Sequence, residues 1–79
     1  MEATLYLLND DVHSFDEVVF TLQRYLAYPQ TQGRSIANVI HTTGECDIKS
    51  GDYYDLELLK ETLKSLGFKV RLDRNYEEY

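Results

Sequence analysis

Seventy-nine residues make one small domain with a marginal core, so every element has to contribute to it. A formal charge of −6, from 14 Asp and Glu against 8 Lys and Arg, argues against nucleic acid as a partner, because clustered cations supply most of that affinity. A lone cysteine, Cys46, excludes an internal disulfide; with no stretch near ~18 uninterrupted apolar residues and no charged-then-apolar leader, neither a membrane partner nor export is expected and the chain reads as cytoplasmic.

Leu5, Tyr6, Leu7 and Leu8 form a short apolar run of strand type that stops at Asn9-Asp10-Asp11, three side chains that prefer turns. Ser14 is then a good N-cap, with Glu17 completing a capping box and Asp16 adding charge where a helix start is partly positive. A helix is expected from Phe15, with Phe15, Val18, Val19, Leu22, Tyr25 and Leu26 on one face. Phe20 lies off that stripe, either packed against another element or part of a contact surface, packing being the expectation. Ala27-Tyr28-Pro29 breaks this helix, and Pro29 suits the first position of a second one carrying Ile36, Ala37 and Ile40. Gly33 weakens its first turn, Gly44 caps its end, and His41 falls in the last turn.

Glu45 to Lys49 alternates at period two, a half-buried strand, with Ser50-Gly51-Asp52 as the turn after it. Leu56, Leu59, Leu63 and Leu66, backed by Leu58, mark a third helix that ends at Gly67. Phe68, Val70 and Leu72 alternate with charged residues in a last strand, and the tail from Asn75 to Tyr79 has no periodicity and should fray. The order β-α-α-β-α-β implies an α+β sandwich, a three-stranded sheet packed on three helices within residues 1–74.

The constellation that could carry chemistry is Asn9, Asp10 and Asp11 at a strand end together with His41 at a helix end. Two anions aimed from a rigid seam suit a cation. The plainer reading is an Asx-type turn at Asn9 and Asp10, a solvated Asp11, and a His41 that merely suits a helix terminus. A reading from another class takes Asp10, Asp11, His13 and His41 as the centre of a small metal-binding or hydrolytic protein, though no Ser or Cys nucleophile stands beside a base. A scaffold that binds a partner helix through Phe20 and Tyr28 is a third.

The stretch Leu8-Asn-Asp-Asp-Val-His-Ser-Phe-Asp-Glu-Val-Val, with Val39-Ile-His-Thr-Thr-Gly-Glu, resembles the ClpS family, and the match runs without a gap from Leu5 to about Leu59. That family comprises the bacterial adaptor that hands N-degron substrates to the ClpA unfoldase and the related domain of Ubr-type E3 ubiquitin ligases. The resemblance implies a binding module, not an enzyme, with no catalytic residue, metal or cofactor. Asn9, Asp11 and His41 would hold the free α-ammonium group of a substrate, and Asp10 would shape the elbow and meet the first peptide group. Leu8, His13, Phe15, Val18, Ala37, Ile40 and Phe68 would line an apolar pocket for a first residue such as Phe, Tyr, Trp or Leu. The implied partners are such N-degrons and either an AAA+ unfoldase, ClpA or ClpC, or the rest of a ligase. Phe15 and Ala37 stand where the adaptors commonly have Met, and Leu59 replaces a Lys on their unfoldase-facing surface. The chain also starts almost on its first strand, whereas bacterial adaptors carry a flexible N-terminal extension.

Overall fold

The computed structural model describes residues 1–75. Six elements follow one another: β1 (Glu2–Leu8), α1 (Phe15–Leu26), α2 (Gln30–Thr43), β2 (Glu45–Asp52), α3 (Tyr53–Ser65) and β3 (Lys69–Arg74). β1 is the middle strand of the sheet, antiparallel to β2 on one side and to β3 on the other. It alternates buried and half-exposed residues, so that Ala3, Leu5 and Leu7 face inward at no more than 1% exposure. Against them pack Ile48 from β2, Leu22 from α1, Ile36 and Ile40 from α2, and Leu56 and Leu63 from α3. Each Leu or Ile buried this way contributes roughly 1.5–3 kcal/mol, which is why a sheet of three strands suffices.

Several expectations are met at single residues. Ser14 caps α1 in a full capping box, its hydroxyl accepting from Glu17 N–H while the Glu17 carboxylate accepts from Ser14 N–H. Gly44 and Gly67 take the left-handed backbone at φ 96° and 90°, closing α2 and following α3. Pro29 sits one place earlier than expected, as the cap of α2.

Other expectations are corrected. β1 begins at Glu2 instead of Leu5, because Thr4 and Ala3 pair on both sides. Ser50, Gly51 and Asp52 are strand, not turn: they continue β2 opposite Thr4, Ala3 and Glu2, past a bulge where the register shifts between Leu5 and Tyr6. Asp52 then caps α3 directly, its carboxylate accepting from Tyr54 N–H. Phe20 does not pack; it is 63% exposed. Tyr28 is no contact surface, since it is half-buried and its hydroxyl donates to the Ile48 carbonyl at 2.6 Å. Leu58 stands 71% exposed and Leu66 41%, leaving Leu56, Leu63 and half-buried Leu59 as the inward stripe of α3. Asn75, expected to begin a frayed tail, donates its N–H to the Glu2 carbonyl and accepts from the Thr4 hydroxyl; the rest of that tail lies outside the described residues.

The sheet face away from the helices is closed by a polar lattice. Arg71 lies over the Tyr6 ring at 4.3 Å, forks onto both oxygens of Glu45 at 2.6 and 2.9 Å, and turns its Nε to Asp73 at 3.0 Å. These bonds hold Arg71 firmly protonated and keep the Glu45 carboxyl below its ordinary value.

Candidate functional site at the end of the central strand

One hydrogen bond brings the elbow and the second helix together. Where β1 ends, Asn9 N–H donates to the Gly44 carbonyl at 2.8 Å, so the chain leaving β1 is bonded to the cap of α2. His41 lies in the last turn of that helix, and this is how two polar groups far apart in sequence come to share one cleft. Leu8, Asn9 and Asp10 from the elbow, His13, Phe15 and Val18 from the start of α1, and Ala37, Ile40 and His41 from α2 surround one cavity. Polar groups therefore ring one end of an apolar slot.

Each member has a defined local role. Asp10 makes the Asx-type turn, which the plainer reading had placed at Asn9 and Asp10: its Oδ1 accepts from Val12 N–H at 2.9 Å and His13 N–H at 2.7 Å. Its Oδ2 meets His13 Nδ1 at 2.9 Å, and His13 Nε2 lies 3.1 Å from the Leu66 carbonyl. A carboxylate and a carbonyl both accept, so the arrangement favours the imidazolium, the form in which both ring nitrogens donate. Burial alone would discharge it, but the carboxylate and carbonyl outweigh burial and raise its pKa. Burial likewise works against the Asp10 charge, and the bonds from His13 and Val12 overcome it, holding the carboxyl below its usual range. Asp10 and His13 thus form a sealed pair at 5% and 10% side-chain exposure.

Asn9, Asp11 and His41 are exposed and so can meet a ligand from solvent. Asp11 is outside the cavity wall, and Phe68 stands one layer behind it, stacked on the His13 ring at 3.8 Å between centroids and 15° between planes. The other nine expected residues are wall residues. Ala37 leaves no open space: the cavity measures about 10 Å³, the size of one water. Phe15, on the same wall, lies within 15° of parallel to His41 with centroids 5.8 Å apart, and the Arg34 guanidinium sits 5.6 Å from the Phe15 centroid. Arg34 escaped the sequence reading because nothing in its own spacing ties it to Phe15. The Asp10–His13–Leu66 chain escaped it too, since His13 and Leu66 meet only through the topology. Among the described residues, no group of three or more His, Cys, Asp or Glu side chains could hold a metal ion.

Fold and cleft together define a small α+β sandwich with a polar-rimmed apolar slot at the end of its central strand. The chain belongs to the ClpS family, described as ATP-dependent Clp protease adaptor protein ClpS, which it matches over residues 2–71. It is also similar to human E3 ubiquitin-protein ligase UBR2, 28% identical over 57 residues; these are 72% of this chain and 3% of the length of that ligase. Among solved structures, Agrobacterium tumefaciens ClpS2 bound to L-phenylalaninamide shares the fold at a TM-score of 0.76 and 16% identity, with 94% of this chain and 96% of that one covered. The family is one of adaptors, and among the described residues no helix is long and apolar enough to cross a membrane.

Proposed function

We propose that this domain recognises N-degrons, binding the free α-ammonium group of a polypeptide together with a bulky apolar first side chain. The observation that carries the reading is the single cavity that joins Asn9 and His41 to the apolar walls of Phe15, Val18, Ala37 and Ile40. An ammonium donates three hydrogen bonds, and exposed Asn9, Asp11 and His41 supply acceptors at the mouth. Bonds with one charged partner contribute roughly 1.5–3 kcal/mol each, enough to separate a free N-terminus from a blocked one. Family membership supports this, as does the shared fold of a protein solved with L-phenylalaninamide, an amine beside an aromatic side chain.

Asp10 shapes the elbow and is committed to His13, so the incoming charge is met by Asp11. A bulky first side chain enters only if Phe15 swings off the His41 ring, after which it lies between the two. The captured substrate would pass to a proteolytic machine, either an AAA+ unfoldase of the ClpA or ClpC kind or the rest of a Ubr-type ligase. The metal or hydrolytic alternative is disfavoured by the sealed pair: both His13 nitrogens already face protein acceptors, the Asp10 carboxylate and the Leu66 carbonyl.

The test is a titration with a short peptide beginning with Phe against its N-acetylated twin. The free peptide should bind and the blocked one should not. Asp11→Ala should weaken the free peptide by about 2–3 kcal/mol without unfolding the domain, since Asp11 is exposed. Equal binding of the twins would sink the reading.

A further inference from the structure

A second groove, of about 350 Å³ and far roomier than the slot, lies on the other side of the His13 ring from the candidate amine site. It lies between α1 and the turn that follows α3, and its volume is at the lower end of the range for ligand sites, ~300–1,000 Å³. Phe20, Tyr25, Leu66 and Phe68 give it apolar walls, and three of these are unusually open: Phe20 at 63%, Leu66 at 41% and Tyr25 at 40% exposure. Asp16 and Glu17 stand on its rim.

In a domain with so little core, leaving a phenylalanine and a leucine in water forgoes apolar burial that the fold could use. Helix formation accounts for the acidic pair at the start of α1 but not for Phe20, which lies on the same face. The groove and the slot at the elbow share only the His13 ring among their lining residues. Successive residues of a helix are turned by 100°, so Glu17 and Phe20 look away from Phe15.

We propose that this groove docks a short segment of another protein, one that presents a bulky apolar residue flanked by Lys or Arg. Charge decides among occupants. A second copy of this chain, placed face to face, would bring Asp16 and Glu17 of both copies together between two molecules of net charge −6. The His13 imidazolium does not relieve that repulsion, because Asp10 already neutralises it. A cationic segment meets the rim favourably while its apolar residue covers Phe20 and Leu66. The partner is thus held apart from the elbow, separated from it only by the stacked His13 and Phe68 rings.

The experiment is an NMR titration of the whole ¹⁵N-labelled domain with the doubly blocked peptide acetyl-Lys-Leu-Arg-Phe-Lys-amide, which has no α-ammonium group for the elbow. Amide shifts should concentrate at Phe20, Tyr25 and Leu66. Exposed Phe20→Ser and Asp16→Lys should leave the spectrum folded and each weaken the peptide roughly fivefold or more, as expected for loss of an aromatic anchor or reversal of a rim charge. Saturating L-phenylalaninamide should not displace it. The proposal is overturned by shifts confined to the elbow, by equal binding of the acidic counterpart acetyl-Glu-Leu-Glu-Phe-Glu-amide, by variants that bind like the native chain, or by no shifts at millimolar peptide. Of these outcomes only shifts confined to the elbow would bear on the amine site, where the free-versus-blocked Phe peptide reports separately.

Discussion

His13 is the residue through which the elbow, α1 and the start of β3 are held in one place, because its ring donates to Asp10 on one side and to Leu66 on the other. Gly67 is part of the same arrangement: its left-handed backbone lets the chain turn under the ring, where an added Cβ would come 3.4 Å from His13 Cε1. This gives stability a definite pH dependence. The folded pKa of His13 is raised above its ordinary 6.5, so its contribution is complete below about 6.5 and is lost as pH rises through the folded value. The folded pKa of Asp10 is lowered below its ordinary 3.8, so its contribution is complete above that value and is lost as pH falls through the folded one. Urea unfolding should therefore show greatest stability from this pair at mildly acid pH and a decline toward pH 8.5, and His13→Gln should flatten that decline. An unchanged slope in the variant would remove His13 from the account. Asp10→Asn, which leaves a buried imidazolium without its carboxylate, should cost about 3 kcal/mol in the same assay at pH 6.

At the scale of elements, the approach of α1 to α2 depends on a small residue where Gly33 stands. A Cβ built there would meet Val19 Cγ1 at 3.5 Å, the Val19 carbonyl oxygen at 3.6 Å and Leu22 Cβ at 3.8 Å, all ordinary contact distances. Gly33→Ala should thus stabilise the domain by roughly 0.5–1 kcal/mol through helix propensity, whereas Gly33→Leu should force the helices apart and destabilise it. A destabilised alanine variant in thermal unfolding would mean that the interface is tighter than these distances indicate. Gly33 was legible in the sequence only as a weakness of α2, since its value lies in a contact with another helix. The same division runs through the molecule. The capping box at Ser14 and the left-handed glycines Gly44 and Gly67 are local chemistry and could be read directly, as could Val19 and Leu22 in the stripe of α1, whereas Tyr25 of that stripe is 40% exposed and Thr21 is buried in its place. Ser50 and Gly51 look like a turn in isolation and become strand because Thr4 lies beside them, its hydroxyl 3.1 Å from that of Ser50. The apolar wall residues were reached as a pocket only through the resemblance to a family; the residues themselves picked out Asn9, Asp10 and His41, but with an Asx turn as the plainer reading, which for Asp10 it also is.

For the whole molecule, the decisive quantity is how little stability there is for a ligand to add to. A domain of this size holds on the order of 4–12 kcal/mol, carried largely by the inward face of one central strand and the helices packed on it. Its candidate amine site is built where that strand ends, from groups on β1, α1 and α2 that lie together only in the folded state. A ligand of that site binds the folded chain alone, so it stabilises by RT ln(1 + [L]/Kd), about 2.7 kcal/mol at one hundred times Kd. In a domain of 60–100 residues each kcal/mol moves the midpoint by roughly 4–8 °C, so saturating L-phenylalaninamide should raise Tm by on the order of 10 °C. N-acetyl-L-phenylalaninamide carries the same ring with no charge for Asp11 and should leave Tm within a degree or two of the free protein. In Phe15→Ala the slot is open without any ring having to swing aside, so the free amide should still protect the variant, measured from a lower starting Tm. Equal protection by both amides would mean that the ring alone is recognised. Protection by neither would mean that the slot stays closed and that Phe15 is a core residue of the fold, with no part in a binding site.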